Sequence, residues 1–211
     1  MSNLFLPFRR FLLGFVFVLL FALSGNCQKM ELFVDAGMSA SLFQVEHIDN
    51  VSSGLASFTL RGGVYFDVFN SEKLRLVVEG MLFNRKYNFE IPGEEFKYRF
   101  FTAQVPILIN YQATEWIYLE AGISGALYDA RLVTNNPDAQ IGSGFTHYDL
   151  GVLAGVQIAL GERFLVGTRA NIHFMPMLTF DEIGPFGELN RGEKDLYYRS
   201  VELFLRYRFK F

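Results

Sequence analysis

Apolar and polar residues alternate with a period of two through most of the chain beyond residue 30. That period describes a β-strand whose two faces meet different surroundings. Over residues 31–43, Leu32, Val34, Ala36, Met38, Ala40 and Leu42 share one face, and Glu31, Asp35, Gly37, Ser39 and Ser41 share the other. Over 56–69, Phe58, Leu60, Val64, Phe66 and Val68 oppose Ser57, Thr59, Arg61, Gly63 and Asp67. Over 73–83, Leu74, Leu76, Val78 and Leu82 oppose Arg75 and Glu79. The same rule predicts strands over 98–111, 116–128, 147–160 and 164–174. It ends with 196–211, where Val201, Leu203, Leu205, Tyr207, Phe209 and Phe211 face away from Ser200, Glu202, Arg206, Arg208 and Lys210. Only Phe204 interrupts that charged face. No segment after residue 27 has a helical period.

Eight strands follow, and the lengths of their connections alternate. Residues 70–72, 112–115 and 161–163 form short turns, whereas 44–55, 84–97, 129–146 and 175–195 are long. Short turns on one rim and long loops on the other are the pattern of outer-membrane barrels, with the short turns facing the periplasm. The expected fold is therefore all-β: an eight-stranded antiparallel up-and-down transmembrane β-barrel, its termini periplasmic and its long loops extracellular. A soluble barrel would alternate as well, with its apolar side inward. The placement of aromatics favours the membrane. Phe58, Phe101, Tyr148, Phe174 and Tyr197 map near the long-loop rim, and Phe66, Tyr111, Phe164, Tyr207, Phe209 and Phe211 near the short-turn rim. Aliphatic runs such as Val105, Ile107, Ile109 and Leu150, Val152, Ala154, Val156 lie between them. Two aromatic girdles around an aliphatic belt match the two interfaces of a bilayer. Pro106 breaks the pattern within a strand, where it cannot donate a ladder hydrogen bond, and predicts a bulge or kink.

The front of the chain changes the picture of where the protein resides. Arg9 and Arg10 precede an uncharged run over residues 11–24, too short to span a bilayer as a helix and consistent with a secretory signal peptide. Cleavage after Cys27 would divide the chain into a signal peptide (1–27) and one barrel domain (28–211), and would remove the only cysteine. The alternative keeps Cys27 as a lipidated residue, against which Asn26 stands where a small residue is wanted. Without Arg9 and Arg10 there are 17 Lys and Arg against 22 Asp and Glu, a net charge of −5. No basic run points to nucleic acid. The expected partners are outer-membrane lipid, the barrel-assembly machinery during insertion, and secretion-complex proteins if the chain serves such a complex. The aromatic strand end, with Tyr207, Phe209 and Phe211, is the expected assembly signal.

Candidate chemistry is confined to the inner face and the loops. Arg61, Arg75, Glu79, Glu120, Asp149, Arg169, Glu202 and Arg206 fall on the inner parity, where eight strands leave room only for side chains. Charges removed from water must be paired. The plain expectation is an ion-pair network with Gly63, Gly122, Gly151 and Gly155 making room, and the alternative is a polar path for a small solute. For catalysis, His147 and Asp149 share a face and could form the base–orienter half of a triad. Ser124 or Ser143 would have to supply the nucleophile, with no motif selecting either. His173 on the inner parity near the long-loop rim reads as paired with a loop carboxylate, and His47 lies in the first long loop. No cluster has metal-ligand spacing, no cofactor is expected, and residues 135–138 (Asn-Asn-Pro-Asp) read as turn chemistry. The last long loop carries Met175, Met177, Phe180, Ile183 and Phe186, expected to pack as a lid over the barrel mouth.

Three segments, AQVPILINYQ (103–112), IYLEAGISGALY (117–128) and YDLGVLAGVQIAL (148–160), stand in this order before a terminal aromatic strand. In them Pro106, Gly122 after Glu120 and Ala121, and the pair Gly151 and Gly155 resemble the small outer-membrane barrels of Bacteroidota grouped with PorT-type proteins. That resemblance implies the fold and the outer membrane, and for one member type a place in the type IX secretion machinery. It offers no catalytic residue. A structural or surface-interaction barrel is the first expectation, a secretion component the second, and a lipid-modifying enzyme the third.

Overall fold

A computed structural model describes residues 30–45, 53–67, 71, 73–91, 94–133, 148–175, 178–183 and 189–209. The signal segment, Cys27, His47, Ser143, His147, the 135–138 turn, Phe186 and Phe211 lie outside the described residues. Among the described residues nine strands appear: β1 (Met30–Val45), β2 (Ser53–Asp67), β3 (Leu74–Ile91), β4 (Glu94–Gln112), β5 (Ile117–Val133), β6 (Tyr148–Ala159), β7 (Phe164–His173), β8 (Leu178–Ile183) and β9 (Leu189–Phe209). Each of the first seven pairs antiparallel with the next, β7 pairs with β9, and β9 returns to β1. Eight strands thus close a barrel. β8 pairs only with the start of β9, Leu178 opposite Leu196 and Ile183 opposite Leu189.

The stagger of the barrel follows from the pairing itself. Starting at Leu32, partners run through Val64, Val78, Ile107, Ile123, Val152, Ile172 and Arg199 and return to β1 at Leu42, ten residues further on. With strands ~4.8 Å apart and ~3.3 Å of rise per residue, that stagger tilts the strands by roughly 40° and gives a backbone radius of about 8 Å. On β4 the exposed Phe101 and Tyr111 are ten residues apart, or about 25 Å along the barrel axis at that tilt, the height expected of the lipid-facing band. Between them Ile107 and Ile109 are exposed. Leu60, Ile123, Leu150 and Leu203 continue the aliphatic belt around the barrel, each at least 60% exposed. Arg61, Arg169 and Arg206 are buried instead. Apolar outside and charged inside is the inverse of a soluble protein, and it requires a hydrocarbon solvent around the belt.

Four expectations change. The loop expected at 84–97 is mostly strand, since β3 and β4 remain paired up to Ile91 and Glu94. Beyond Leu82 the alternation inverts: Asn84, Lys86, Asn88 and Glu90 take the outward parity, and Tyr87 and Phe89, opposite Tyr98 and Phe96, the inward one, so the outward apolar run stops while the ladder persists. The loop expected at 175–195 holds β8, and the last strand begins at Leu189 rather than 196. At Pro106 there is no bulge. The β3–β4 register is the same on both sides, Val78 with Ile107 and Met81 with Gln104, and only the two intervening pairs are missing. Pro106 stays in register with Ser124 on its other side. Lacking an N–H, it opens the ladder toward β3 without adding a residue. Register shifts occur instead on β1 between Ser39 and Ser41 and on β8 between Asp181 and Glu182. Phe66 keeps the outward parity but is buried, clustered with Val64 and Val78.

Candidate functional site: the charged lumen

The inner face of β9 places Arg206 in the middle of the barrel, where its guanidinium joins three other strands. Its Nε and Nη2 donate to Asp35 Oδ2 on β1 at 2.9 and 2.7 Å. Nη2 also donates to Glu79 Oε1 on β3 at 2.6 Å, and Nη1 to the Tyr65 hydroxyl on β2 at 2.7 Å. Arg61 on β2 donates to Asp35 Oδ1 at 2.5 Å and to Glu202 Oε2 on β9 at 2.7 Å. Arg169 on β7 forks onto Glu79 at 2.7 and 2.9 Å and reaches Glu120 Oε1 on β5 at 2.7 Å. Gln157 donates to the other Glu120 oxygen. The side chains of Asp35, Arg61, Glu79, Glu120, Arg169 and Arg206 have 0% exposure. One network therefore ties seven of the eight barrel strands together, all but β4, through charge-assisted hydrogen bonds, the strong kind in a dry interior.

Three like-charged guanidinium groups in so narrow a space need separation, and aromatic rings supply it. Phe204 lies 4.3 Å below Arg61, 5.4 Å from Arg169 and 5.2 Å from Arg206, measured to its ring centre. Arg206 also stacks 3.8 Å over Phe33. Each ring face attracts a cation while displacing water. Glycines make the rings fit. A Cβ at Gly167 would come within 2.5 Å of Phe204 Cζ, and one at Gly63 would strike the Phe33 ring. A Cβ at Gly155 would sit 2.8 Å from Glu120 Oε1. The Phe204 interruption in the charged face of the last strand is thus part of the plug.

The plug has distinct levels above and below it. At the short-turn rim Arg75 pairs with Glu31 at 3.0 Å and Asp67 at 3.2 Å, all partly exposed and so of little energetic weight. Toward the other rim come small uncharged residues, Ser39, Thr59, Ser124, Asn171 and Ser200, all buried. Beyond them Asp149 holds His173 Nδ1 at 2.5 Å, accepts from the Tyr128 hydroxyl at 2.9 Å, and accepts from the Met175 backbone N–H at 3.1 Å.

Of the eight residues expected in the lumen, Arg61, Glu79, Glu120, Arg169, Glu202 and Arg206 meet in one network. Arg75 is at the rim, and Asp149 belongs to the separate cluster with His173. Among the described residues the histidine's carboxylate partner is Asp149 on β6. Asp35, Tyr65, Gln157 and Phe204 were missed as network members. The signal for Asp35 was cross-strand pairing, since it lies opposite both Arg61 and Arg206. Ser124 faces Gly151 across β5 and β6. Tyr207 stacks edge-on against Phe164 and Phe209 at the short-turn rim. Among the described residues no group of three His, Cys, Asp or Glu side chains could hold a metal.

No protein-family model and no curated protein matches the chain by sequence. Solved structures do match. Neisserial surface protein A is similar with a TM-score of 0.53 at 16% identity, covering 84% of this chain and 97% of that one. The attachment invasion locus protein Ail of Yersinia pestis has a TM-score of 0.51 at 12% identity, covering 86% and 99%. The chain has the fold of the small outer-membrane barrels. At these identities the likeness speaks for the fold alone.

Proposed function

We propose that the protein is an integral outer-membrane barrel, closed to solutes, that acts through its membrane-distal surface in a structural or adhesive role. The observation that carries this reading is the plug. Its charged side chains at mid-barrel have no contact with water, so that level offers no aqueous path, and activity must fall on the rims. In this reading the short-turn rim and both termini are periplasmic, the long connections are extracellular, and Tyr207, Phe209 and Phe211 form the signal read by the assembly machinery. Planar-bilayer recording of the purified barrel tests closure. A flat baseline is expected, and stable ohmic steps would overturn it. For the surface role, replacing residues 134–147 and 184–188 with Gly-Ser should leave heat-modifiable migration intact and abolish adhesion of cells carrying the barrel. Unchanged adhesion would count against it.

Membership of the PorT-type secretion barrels is the second reading, supported by the three resembling segments, which form the adjacent strands β4, β5 and β6. It predicts that gentle extraction of a tagged chain recovers defined periplasmic partners in fixed ratio, where a surface barrel comes out alone. A lipid-modifying enzyme is the third reading, and it predicts an altered lipid A profile on deletion.

A further inference from the structure

The sequence has no basic run, yet strand pairing assembles a basic patch from three distant segments. On β3, β4 and β5 the register puts Lys86 opposite Arg99 and Arg99 opposite Arg131. The next row places Lys97 opposite Asn88 and Val133. All four basic residues share the parity of Phe101, which is exposed on the lipid-facing surface. The row below holds Asn84, Phe101 and Asp129, and the row above Lys97 pairs Glu90 with Glu95. Two successive rows thus carry four positive charges and no negative one, bounded by one acid on the membrane side and two on the far side.

Height decides what such a patch meets. Arg99 lies two residues beyond Phe101 on β4, about 5 Å further along the barrel axis at the strand tilt, and Lys97 about 10 Å. If Phe101 marks the edge of the hydrocarbon, the row of Lys86, Arg99 and Arg131 stands in the headgroup layer, which adds roughly 5–8 Å on each side of the core, and Lys97 stands at its outer margin, within reach of a long side chain. From this juxtaposition we propose that Lys86, Lys97, Arg99 and Arg131 form a docking site for phosphate-bearing lipid headgroups of the surrounding leaflet. Basic side chains at this level attract anionic headgroups, and Arg can grip phosphate bidentately. A lipid is the occupant because the patch continues the lipid-facing surface outward. The inference rests on the membrane reading of the fold.

The test compares wild type with the K86Q/R99Q/R131Q variant in phosphatidylcholine vesicles containing lipid A or dephosphorylated lipid A. Heat-modifiable migration first checks insertion. Competition with a spin-labelled lipid for the motionally restricted shell then gives the relative association of each lipid. The wild type should prefer the phosphorylated lipid at least roughly tenfold, and the variant should fall to within about twofold. No preference in the wild type, or one retained by the variant, overturns the site. Displacement of lipid A by millimolar inorganic phosphate would mark a site for a soluble anion and overturn the lipid assignment. Failure of either chain to insert in any vesicle would instead refute the membrane reading.

Discussion

Replacing Arg206 with methionine is the sharpest test of the plug. Methionine keeps much of the stem's volume and removes four hydrogen bonds, to Asp35 twice, Glu79 and Tyr65. Asp35 retains Arg61 and Glu79 retains Arg169, so neither carboxylate is stripped bare. The loss is nevertheless one full positive charge in a site that excludes water. Breaking a buried pair by removing one partner costs about 3–5 kcal/mol, because the remaining charge stays buried without full compensation. The control is Arg206→Met with Asp35→Asn, which removes a charge of each sign. If the penalty is electrostatic, the double variant recovers part of the loss, with a coupling energy of roughly 1–3 kcal/mol. If it is a packing defect, the two substitutions add. Urea titration of folding into detergent micelles, followed by heat-modifiable migration, reads both quantities. A single variant within about 1 kcal/mol of wild type, or additive losses, would refute the description of the network as a mutually compensating unit.

Three further outcomes follow from the same geometry. Leu203→Arg, on the exposed belt near mid-height, should destabilise the inserted barrel by about 2–4 kcal/mol in urea titrations from lipid vesicles, whereas a water-facing site would tolerate it with almost no change. Gly167→Val places a side chain where Phe204 sits and should cost about 1–3 kcal/mol through overpacking, partly recovered by Phe204→Ala in the same urea assay. Asp149→Asn weakens the tie among Tyr128, His173 and the Met175 backbone, so hydrogen exchange should accelerate at residues 172–175 while the plug at Glu79 stays protected. Equal acceleration at both would show the two clusters to be one unit.

Period-two alternation was enough to place the eight barrel strands and their inward residues, because lipid on one side and a crowded lumen on the other impose opposite demands at every position. Its reach ends where those demands end. Above the belt β3 and β4 continue with the alternation inverted, Lys86, Asn88 and Glu90 on the outward parity and Tyr87, Phe89 and Ile91 on the inward one, so the outward apolar face by which the strand was followed ends at Leu82. β8 is six residues long and pairs along one edge, too little for a periodic signal. Asp35 and Phe204 were legible as inner-parity residues, but their places in the plug depend on which strand returns to β1. The same is true of the Lys86, Arg99 and Arg131 row. Charge clusters in a barrel are properties of register, and register is not written in any one segment.

Register must still be chosen, and the lipid face cannot choose it. A slip of one residue between β9 and β1 would turn the belt inward and is excluded by parity. A slip of two keeps the parity and merely exchanges one aliphatic residue for another among Val201, Leu203 and Leu205, all of which lie in the exposed belt. Hydrocarbon does not distinguish those arrangements. The lumen does: in the observed register Asp35 lies opposite Arg206 and Ser39 opposite Glu202. Moving β9 by two residues in either direction would set Asp35 opposite Phe204 or Arg208, with Glu79 losing its second arginine and Phe204 losing its seat over Gly167. The buried ion pairs need not add net stability over a well-packed apolar filling. Their contribution is to make one closure of the barrel much better than its neighbours, a task the uniform outer face leaves entirely to the inside.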